Sequence, residues 1–512
     1  MSDIKSVCFV GAGFVGAPSG AVLALKNPQL EVNVVDLSVP RIAAWNSDKL
    51  PLYEPGLPEV LKIARDGHSR KQNLFFSTDV RGAIKRADIV FVCVNTPTKV
   101  AGTGAGRAPN LAYLESATRM IAAEAESDKI IVEKSTVPCR TADIMREVLE
   151  KTGKPGVRFD ILSNPEFLAE GTTIPDLLQP DRILIGALPS GQAAANKLED
   201  LYASWVPRER ILQMNLWSSE LAKLAANALL AQRISSINAL SAICEATGAD
   251  VSEIARAAGS DTRIGSRMLQ ASVGFGGSCF RKDVLNLAYM AESLHLPEVA
   301  NYWQSVVEIN EWQKDRFSKR IIRCLYNNIT HKKIGVFGFA YKKNTSDTRE
   351  SAAISVVKSL VAEQARIAIY DPQVTKEHIW EELEIAGCVD YKEYVTVCDN
   401  PYDAAEDAHA VVILTEWDEF SNKSKAGAAA ATPSPPTEAE DSAIEMAGKG
   451  SRQDSVFAHG THIKKERRLD WSRVMGLMQK PAFVFDGRRI LDVEKLEALG
   501  FHVESIGKSN IL

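Results

Sequence analysis

One cysteine in this chain stands where its residue neighbours could make it a nucleophile. Val273-Gly274-Phe275-Gly276-Gly277-Ser278-Cys279-Phe280-Arg281-Lys282-Asp283 is a glycine-rich loop running into a helical pattern carried by Val284, Leu285, Leu287, Ala288, Ala291 and Leu294. That pattern places Cys279 just ahead of a helix N-terminus, where free N–H groups and the helix dipole favour a thiolate. Lys282 adds a positive charge, and Asp283 places a carboxylate four residues from the sulfur. Gly274, Gly276 and Gly277 let a ligand approach the backbone. An isolated cysteine is more often an inert core thiol. The glycines, the charges and the helix start set this one apart. Two other polar pairs interrupt apolar surroundings. Lys223 and Asn227 lie four apart on one face of a long apolar helical pattern, and a buried lysine there needs a partner. Glu166 and Glu170 flank Phe167-Leu168-Ala169, and one helical turn would put both acids on one face. Together these supply a nucleophile, a cation and proton-transfer groups.

The chain that must position them has 512 residues, 45% hydrophobic and 24% charged, with a formal net charge of −5. That suits a soluble protein of two or three domains and gives no electrostatic reason to expect nucleic acid. Eight scattered cysteines form no C-x-x-C pair, so neither a metal site nor a disulfide framework is expected. Reduced thiols fit a cytoplasmic location. No signal-peptide pattern opens the chain, no apolar run reaches membrane-spanning length, and no retention or peroxisomal address closes it.

The first half reads as a dinucleotide site. The strand Val7-Cys8-Phe9-Val10 turns through Gly11-Ala12-Gly13-Phe14-Val15-Gly16 into a helix, which is G-x-G-x-x-G in its required context. A second strand, Val32–Val35, ends at Asp36, twenty positions after Gly16. Its carboxylate can accept from a ribose 2′-hydroxyl and repels a 2′-phosphate, so NAD is expected over NADP. Arg41 would weaken that preference if it reached the same site. The strand Ile89–Val94 ends in Asn95-Thr96-Pro97-Thr98, and Ile130–Lys134 ends in Ser135-Thr136-Val137. Both polar turns belong at the carboxyl edge of a parallel sheet, where ligands of open α/β sheets bind. The glycine-rich loop Gly102–Arg107 lacks Gly-Lys-Ser/Thr and reads as a mobile surface loop.

From about Ser218 to Ala246 an uninterrupted helical pattern is long enough to span between domains and pack on a partner subunit. Arg263 precedes the cysteine loop. A second set of β–α units begins at Lys332, with Phe339, Lys342 and Arg349 following its first strand and Arg488 its last. Cations at strand ends suit a phosphate-bearing ligand. The fold class expected is α/β. Two Rossmann-like doubly wound parallel sheets span 1–215 and 329–512, joined by a central helical domain over 216–328. A low-complexity insert, about 424–455, is too poor in apolar bulk to fold. Lys464-Lys465-Glu466-Arg467-Arg468 is either a nuclear address or the solvated approach to a helix over Leu469–Met478.

A dinucleotide beside a cysteine, a lysine and several acids suits oxidation of an alcohol through to a carboxylate. The aldehyde stage would be held on Cys279 as a thiohemiacetal, and water would cleave the resulting thioester. Lys223 would steady the oxyanions, and Asp283, Glu166 or a water between them would move protons. The chain resembles the UDP-glucose 6-dehydrogenase family in its eukaryotic form, through nearly its whole length apart from the insert. The motifs are Gly11–Gly16, Asn95–Thr98, Ser135–Val137, Glu166–Glu170, Lys223–Asn227, Gly274–Asp283, Phe339–Lys342, Asp347–Ser351 and Phe485–Arg489. The resemblance implies NAD-dependent four-electron oxidation of UDP-glucose to UDP-glucuronate with Cys279 as nucleophile, Lys223 and Asp283 assisting, and Glu166 helping hydrolysis. It implies that Asn227, Arg263, Phe339, Lys342 and Arg488 contact the nucleotide sugar, with Gln270, Ser272, Phe275 and Phe280 also on that side. Glu170, Arg349, Val94 and Lys282 are expected on the NAD side. It further implies that Arg263 reaches across from a neighbouring subunit, that the long helix forms a homodimer, and that dimers assemble into a homohexamer. Thr136 matches a position linked to feedback inhibition by UDP-xylose. Two alternatives stay open, a sister enzyme acting on another nucleotide sugar such as GDP-mannose, and a non-catalytic nucleotide-sugar sensor.

Overall fold

The strands of the first half are short, continuous and apolar, and they bury both faces. In β1 (Ser6–Val10) every residue after the first is buried, as is all of β4 (Ile89–Val92) and of β5 (Lys129–Glu133). That pattern belongs to a parallel sheet covered by helices on both sides. A computed structural model describes residues 4–423 and 468–508. With β2 (Glu31–Val35), β3 (Leu74–Ser77), β6 (Phe159–Ser163), β7 (Ile183–Ala187) and β8 (Ile211–Asn215) these form one eight-stranded sheet, ordered β3-β2-β1-β4-β5-β6-β7-β8. Chain order reverses at β1 between β2 and β4, which opens a crevice at the carboxyl ends of those strands. One pair departs from the expected parallel sheet. β6 meets β7 antiparallel through Ser163 and Gly186. The connection between them carries only the six-residue helix Thr173–Leu178, too short to return the chain along the sheet for a parallel crossover.

The second sheet has six parallel strands: β9 (Lys333–Phe337), β10 (Arg366–Tyr370), β11 (Val395–Val397), β12 (Ala410–Ile413), β13 (Phe483–Asp486) and β14 (His502–Ser505). They run in the order β11-β10-β9-β12-β13-β14, again reversing at the first strand. The expected α/β class with two doubly wound sheets and a helical centre is what the chain adopts.

The long helix spans Leu216–Thr247, 32 residues. A second, Pro297–Cys324, is nearly as long at 28 residues. Around the cysteine helix Phe280–Ser293, Ala228, Ala231, Phe275, Val284, Leu285, Leu287, Val306 and Val307 close one apolar cluster. Each large side chain buried there contributes about 1.5–3 kcal/mol, so the cysteine helix is held against both long helices.

The chain forms two compact units. One comprises Met1–Ala239, Gly274–Gln313 and Asn344–Ser351, and the other Leu240–Val273, Lys314–Lys343 and Ala352–Leu512. The insert at 424–455 and residues 464–467 of the basic run lie outside the described residues. The helix expected over Leu469–Met478 is Trp471–Leu477, started by Asp470, whose carboxylate accepts from the amides of Ser472 at 3.0 Å and Arg473 at 3.2 Å.

Candidate active site

The Gly11–Gly16 turn is set by contacts that only glycine permits. Gly11 has φ +109°, and a Cβ there would lie 2.4 Å from the Cys93 carbonyl oxygen. A Cβ on Gly16 would lie 2.0 Å from the Gly11 oxygen. A Cβ on Gly13 would meet nothing within 4 Å, so that position faces open space. The helix Gly16–Lys26 starts with no side chain capping its first turn and no acid within it. Uncapped amides, a positive dipole end and open space beside Gly13 fit a pyrophosphate. At the end of β2 the Asp36 carboxylate accepts from the amides of Ala12 at 3.0 Å and Ser38 at 2.9 Å. Arg41 does reach this place, donating to Asp36 at 3.0 Å. The pair neutralises the cation that would otherwise draw a 2′-phosphate.

The two polar turns are one structure. Thr96 Oγ1 donates to the Thr136 carbonyl at 2.8 Å, and Ser135 Oγ donates to that of Val94 at 2.7 Å. The Gly102–Arg107 loop, expected to be mobile, is instead closed and tethered. Gly106 donates to Lys99 and Lys99 to Ala108, both at 2.8 Å, and Arg107 pairs with Glu292 and lies over Tyr289 of the cysteine helix.

The chemical residues meet within the first unit. Lys223 and Asn227 point inward from the long helix and are buried. Lys223 Nζ lies 3.3 Å from Glu166 Oε1, and Asn227 Nδ2 donates to Asp283 Oδ2 at 2.7 Å. Cys279 stands at the cap of the cysteine helix, its sulfur 3.6 Å from Ser278 Oγ. Burial alone would push Lys223 down, but Glu166, Cys279 and Asp283 hold its pKa above the ordinary lysine value. The ammonium is therefore charged and acts as a cation, not as a base.

The expected ready-made thiolate is not borne out. Solvent reaches Cys279, yet desolvation by the protein around the thiol raises its pKa more than Lys223 lowers it, and Asp283 and Glu166 raise it further. Asp283 is likewise pushed up, first by burial and then by Glu166, against Lys282, Lys223 and the Asn227 hydrogen bond. A helix start favours a thiolate, but burial of the thiol, helped by Asp283 and Glu166, outweighs it here.

Glu166 and Glu170 do not share a helical turn. Residues 164–169 are irregular, and the helix starts only at Thr173. The Glu166 carboxylate accepts from the Leu168 amide at 2.7 Å, a local bond that competes with helix. Glu170 points elsewhere and pairs with Arg349 at 3.2 Å. Arg349 also donates to Asp347 at 2.9 Å, and its carbonyl accepts the Gly277 amide at 2.9 Å, which ties the cysteine loop to the Asp347–Arg349 segment.

Several positioning residues had no visible signal in the sequence. Asn310 clamps Phe275 from both sides, accepting from its amide at 2.8 Å and donating to its carbonyl at 3.1 Å. Buried Glu54 accepts from the amides of Gly171 at 2.6 Å and Thr173 at 3.2 Å, which fixes the end of the Glu166–Glu170 segment. Arg182 stacks 3.9 Å above the Phe167 ring, with Lys223 Nζ 5.3 Å from the same ring.

In the second unit Arg488 donates to the carbonyls of Leu414 at 2.7 Å and Tyr341 at 3.0 Å and pairs with Glu416 at 3.4 Å. Gln270 donates to the Arg488 carbonyl at 3.1 Å, and Ser272 is buried. Phe339 is fully buried and its amide donates to Asp371 at 2.7 Å, so its side chain packs in the core and offers a ligand no ring face. Lys342 lies half-buried beside Tyr341. Arg263 is exposed and chelated by Asp261 at 2.6 Å.

Three family models of the UDP-glucose/GDP-mannose dehydrogenases match in succession: the NAD binding domain over residues 5–206, the central domain over 217–312 and the UDP binding domain over 335–437. The chain belongs to this family. NAD is its cofactor, and it is an oxidoreductase. Among similar proteins, UDP-glucose 6-dehydrogenase of Drosophila melanogaster is 53% identical, covering 98% of this chain and 96% of that one. UDP-glucose 6-dehydrogenase 1 of Oryza sativa subsp. japonica is 52% identical over 98% and 97%. A solved UDP-glucose dehydrogenase of Pyrobaculum islandicum aligns with a TM-score of 0.75 at 26% identity, covering 99% and 98%. Among the described residues no helix is long and apolar enough to cross a membrane.

Proposed function

We propose that this dehydrogenase oxidises UDP-glucose to UDP-glucuronate, using Cys279 as the covalent anchor for the second oxidation. The observation that carries the reading is the buried cluster of Lys223, Glu166, Asn227 and Asp283 at the cap position of Cys279. A plain alcohol–aldehyde interconversion needs no such thiol. The relatives' names supply the sugar.

The Gly11–Gly16 turn would hold NAD, which would supply the hydride acceptor, one molecule for each of the two oxidation stages. Asp283 or Glu166 takes the proton of the C6 hydroxyl as the aldehyde forms. The Cys279 S–H then adds across the aldehyde, sulfur to carbon and proton to oxygen, giving a thiohemiacetal. Lys223 holds the oxygen as its charge develops. Loss of hydride and of the hydroxyl proton from that adduct leaves a thioester. Water, deprotonated beside Glu166, attacks the carbonyl, the C–S bond breaks, and Cys279 regains its proton. Because the resting thiol is protonated, its proton must move during addition, and Asp283 lies within the same charged group to relay it.

Leu229 and Ile243 on the long helix are 54% and 58% exposed, which supports burial of that helix against a second copy. The substrate assignment is tested by offering UDP-glucose and GDP-mannose with NAD and identifying the product by mass spectrometry. UDP-glucuronate from the first and no turnover of the second is expected. Turnover of GDP-mannose alone would move the chain to the sister activity.

A further inference from the structure

Two carboxyls that the chemistry above does not use meet inside the first unit. Glu133 ends β5, three residues before Thr136, and Glu220 lies on the long helix one turn before Lys223. They are 1% and 2% exposed. Among the described residues no donor reaches either Glu133 carboxyl oxygen, and the side chain within hydrogen-bonding reach is Glu220. Glu220 accepts from the amides of Arg140 at 2.6 Å and Ala142 at 2.8 Å, at the start of the 12-residue helix Thr141–Thr152. The other titratable groups around the pair are Cys139 on the turn and Asp143 on that helix. The nearby cations serve Asp143 instead: Arg146 bonds it and Arg140 lies 3.8 Å from it, while Trp217 Nε1 donates to it at 3.0 Å. Two carboxylates buried side by side without a cation cannot both be ionised.

We propose that Glu133 and Glu220 share one proton, and that this acid–carboxylate hydrogen bond positions the Ser135-Thr136-Val137 turn against the helix that carries Lys223. The charge belongs on Glu220, because it faces two amides and a helix N-terminus, and the proton belongs on Glu133, which has neither. Burial first, and then the Glu220 charge, raises the Glu133 pKa well above the ordinary carboxyl value. Burial also raises Glu220, with the Ala142 and Arg140 amides pulling it back. Through the Thr136 carbonyl, which accepts from Thr96, the pair braces both polar turns of the cofactor edge at once. Glu133 and Glu220 are thus positioning residues, acting on the site through the turn and the helix.

The sign of the pH dependence follows from the raised folded-state value. The stability the acid form contributes is whole below the ordinary carboxyl range and drains away as pH rises through the folded-state value. Glu133→Gln carries the donor permanently, so it should escape that loss. The test is thermal unfolding of wild type and Glu133→Gln from about pH 5 to about pH 9, with kcat followed over the same range. The variant should gain several degrees on wild type as pH rises, and its kcat should hold to a pH at least about one unit higher. A difference in unfolding temperature that does not change with pH overturns the proposal. The kcat arm rests on the UDP-glucose reading and the unfolding arm does not, so failure of one is separable from failure of the other. Should Glu133→Gln not fold, the infrared spectrum of wild type at about pH 8 decides. A buried protonated-carboxyl band that survives Asp283→Asn supports the shared proton, and carboxylate bands alone overturn it.

Discussion

Removing the Lys223 ammonium while keeping its bulk, as in Lys223→Met, should damage rate and stability by separate routes. Lys223 Nζ and Glu166 Oε1 are 3.3 Å apart, with side chains 4% and 9% exposed. At an effective dielectric of about 20 that attraction is worth about 5 kcal/mol before desolvation. Stranding the Glu166 charge should therefore cost about 3–5 kcal/mol of stability, as when one partner of a buried pair is removed. The loss appears as a lowered unfolding temperature. Losing the ammonium proposed to hold the reacting oxygen should lower kcat by about 10²–10³. The Cys279 thiol also loses the charge that pulls its pKa down, so alkylation by iodoacetamide should need a higher pH than in wild type. The double variant Lys223→Met/Glu166→Gln separates the routes. It should recover much of the stability, since no charge is stranded, and none of the rate. A single variant whose kcat stays within about threefold of wild type, or whose thiol alkylates at the same pH or lower, would refute this account of Lys223.

Asn227→Ala removes the 2.7 Å bond that holds the Asp283 charge. A charge-assisted hydrogen bond of about 1.5–3 kcal/mol corresponds to an acid limb of the kcat–pH profile displaced upward by about one to two units. Asp36→Ser frees Arg41 and removes the ribose acceptor, so KM for NAD should rise about tenfold or more and measurable NADP turnover should appear in steady-state assays. Gly16→Ala puts a methyl 2.0 Å from the Gly11 oxygen, which is backbone and cannot give way. NADH titration by fluorescence should show binding lost in that variant.

The chemistry-bearing residues were legible because each carries a local mark. Gly11–Gly16 lies between a strand and a helix, Cys279 follows three glycines ahead of a helical pattern, and Lys223 interrupts an apolar face. The helical reading of Glu166–Glu170 failed because spacing alone says nothing of side-chain bonds to nearby amides. Glu166 spends its carboxylate on Leu168, and Glu54, 117 residues before Gly171, fixes the other end. The charge state of Cys279 is hidden in the sequence for a related reason. A helix start and Asp283 are visible in sequence, whereas the burial of the thiol and the Glu166 carboxylate, 113 residues before it, arise only from tertiary packing. The second long helix, Pro297–Cys324, carries no clear mark in the sequence because charged residues dilute its apolar stripe of Trp303, Val306, Val307, Phe317 and Ile321. Short edge strands such as β11, three residues long, exist through pairing rather than through any pattern of their own. The Glu133–Glu220 pair joins residues 87 positions apart, and each alone reads as an ordinary acid.

The central claim is that Cys279 carries the sugar between two oxidations. The direct measurement is the number of NADH formed per UDP-glucose consumed, in wild type and in Cys279→Ala. Two NADH per sugar in wild type, with steady turnover abolished in the variant, is the predicted result. One NADH per sugar, or a variant that still delivers two, would contradict it.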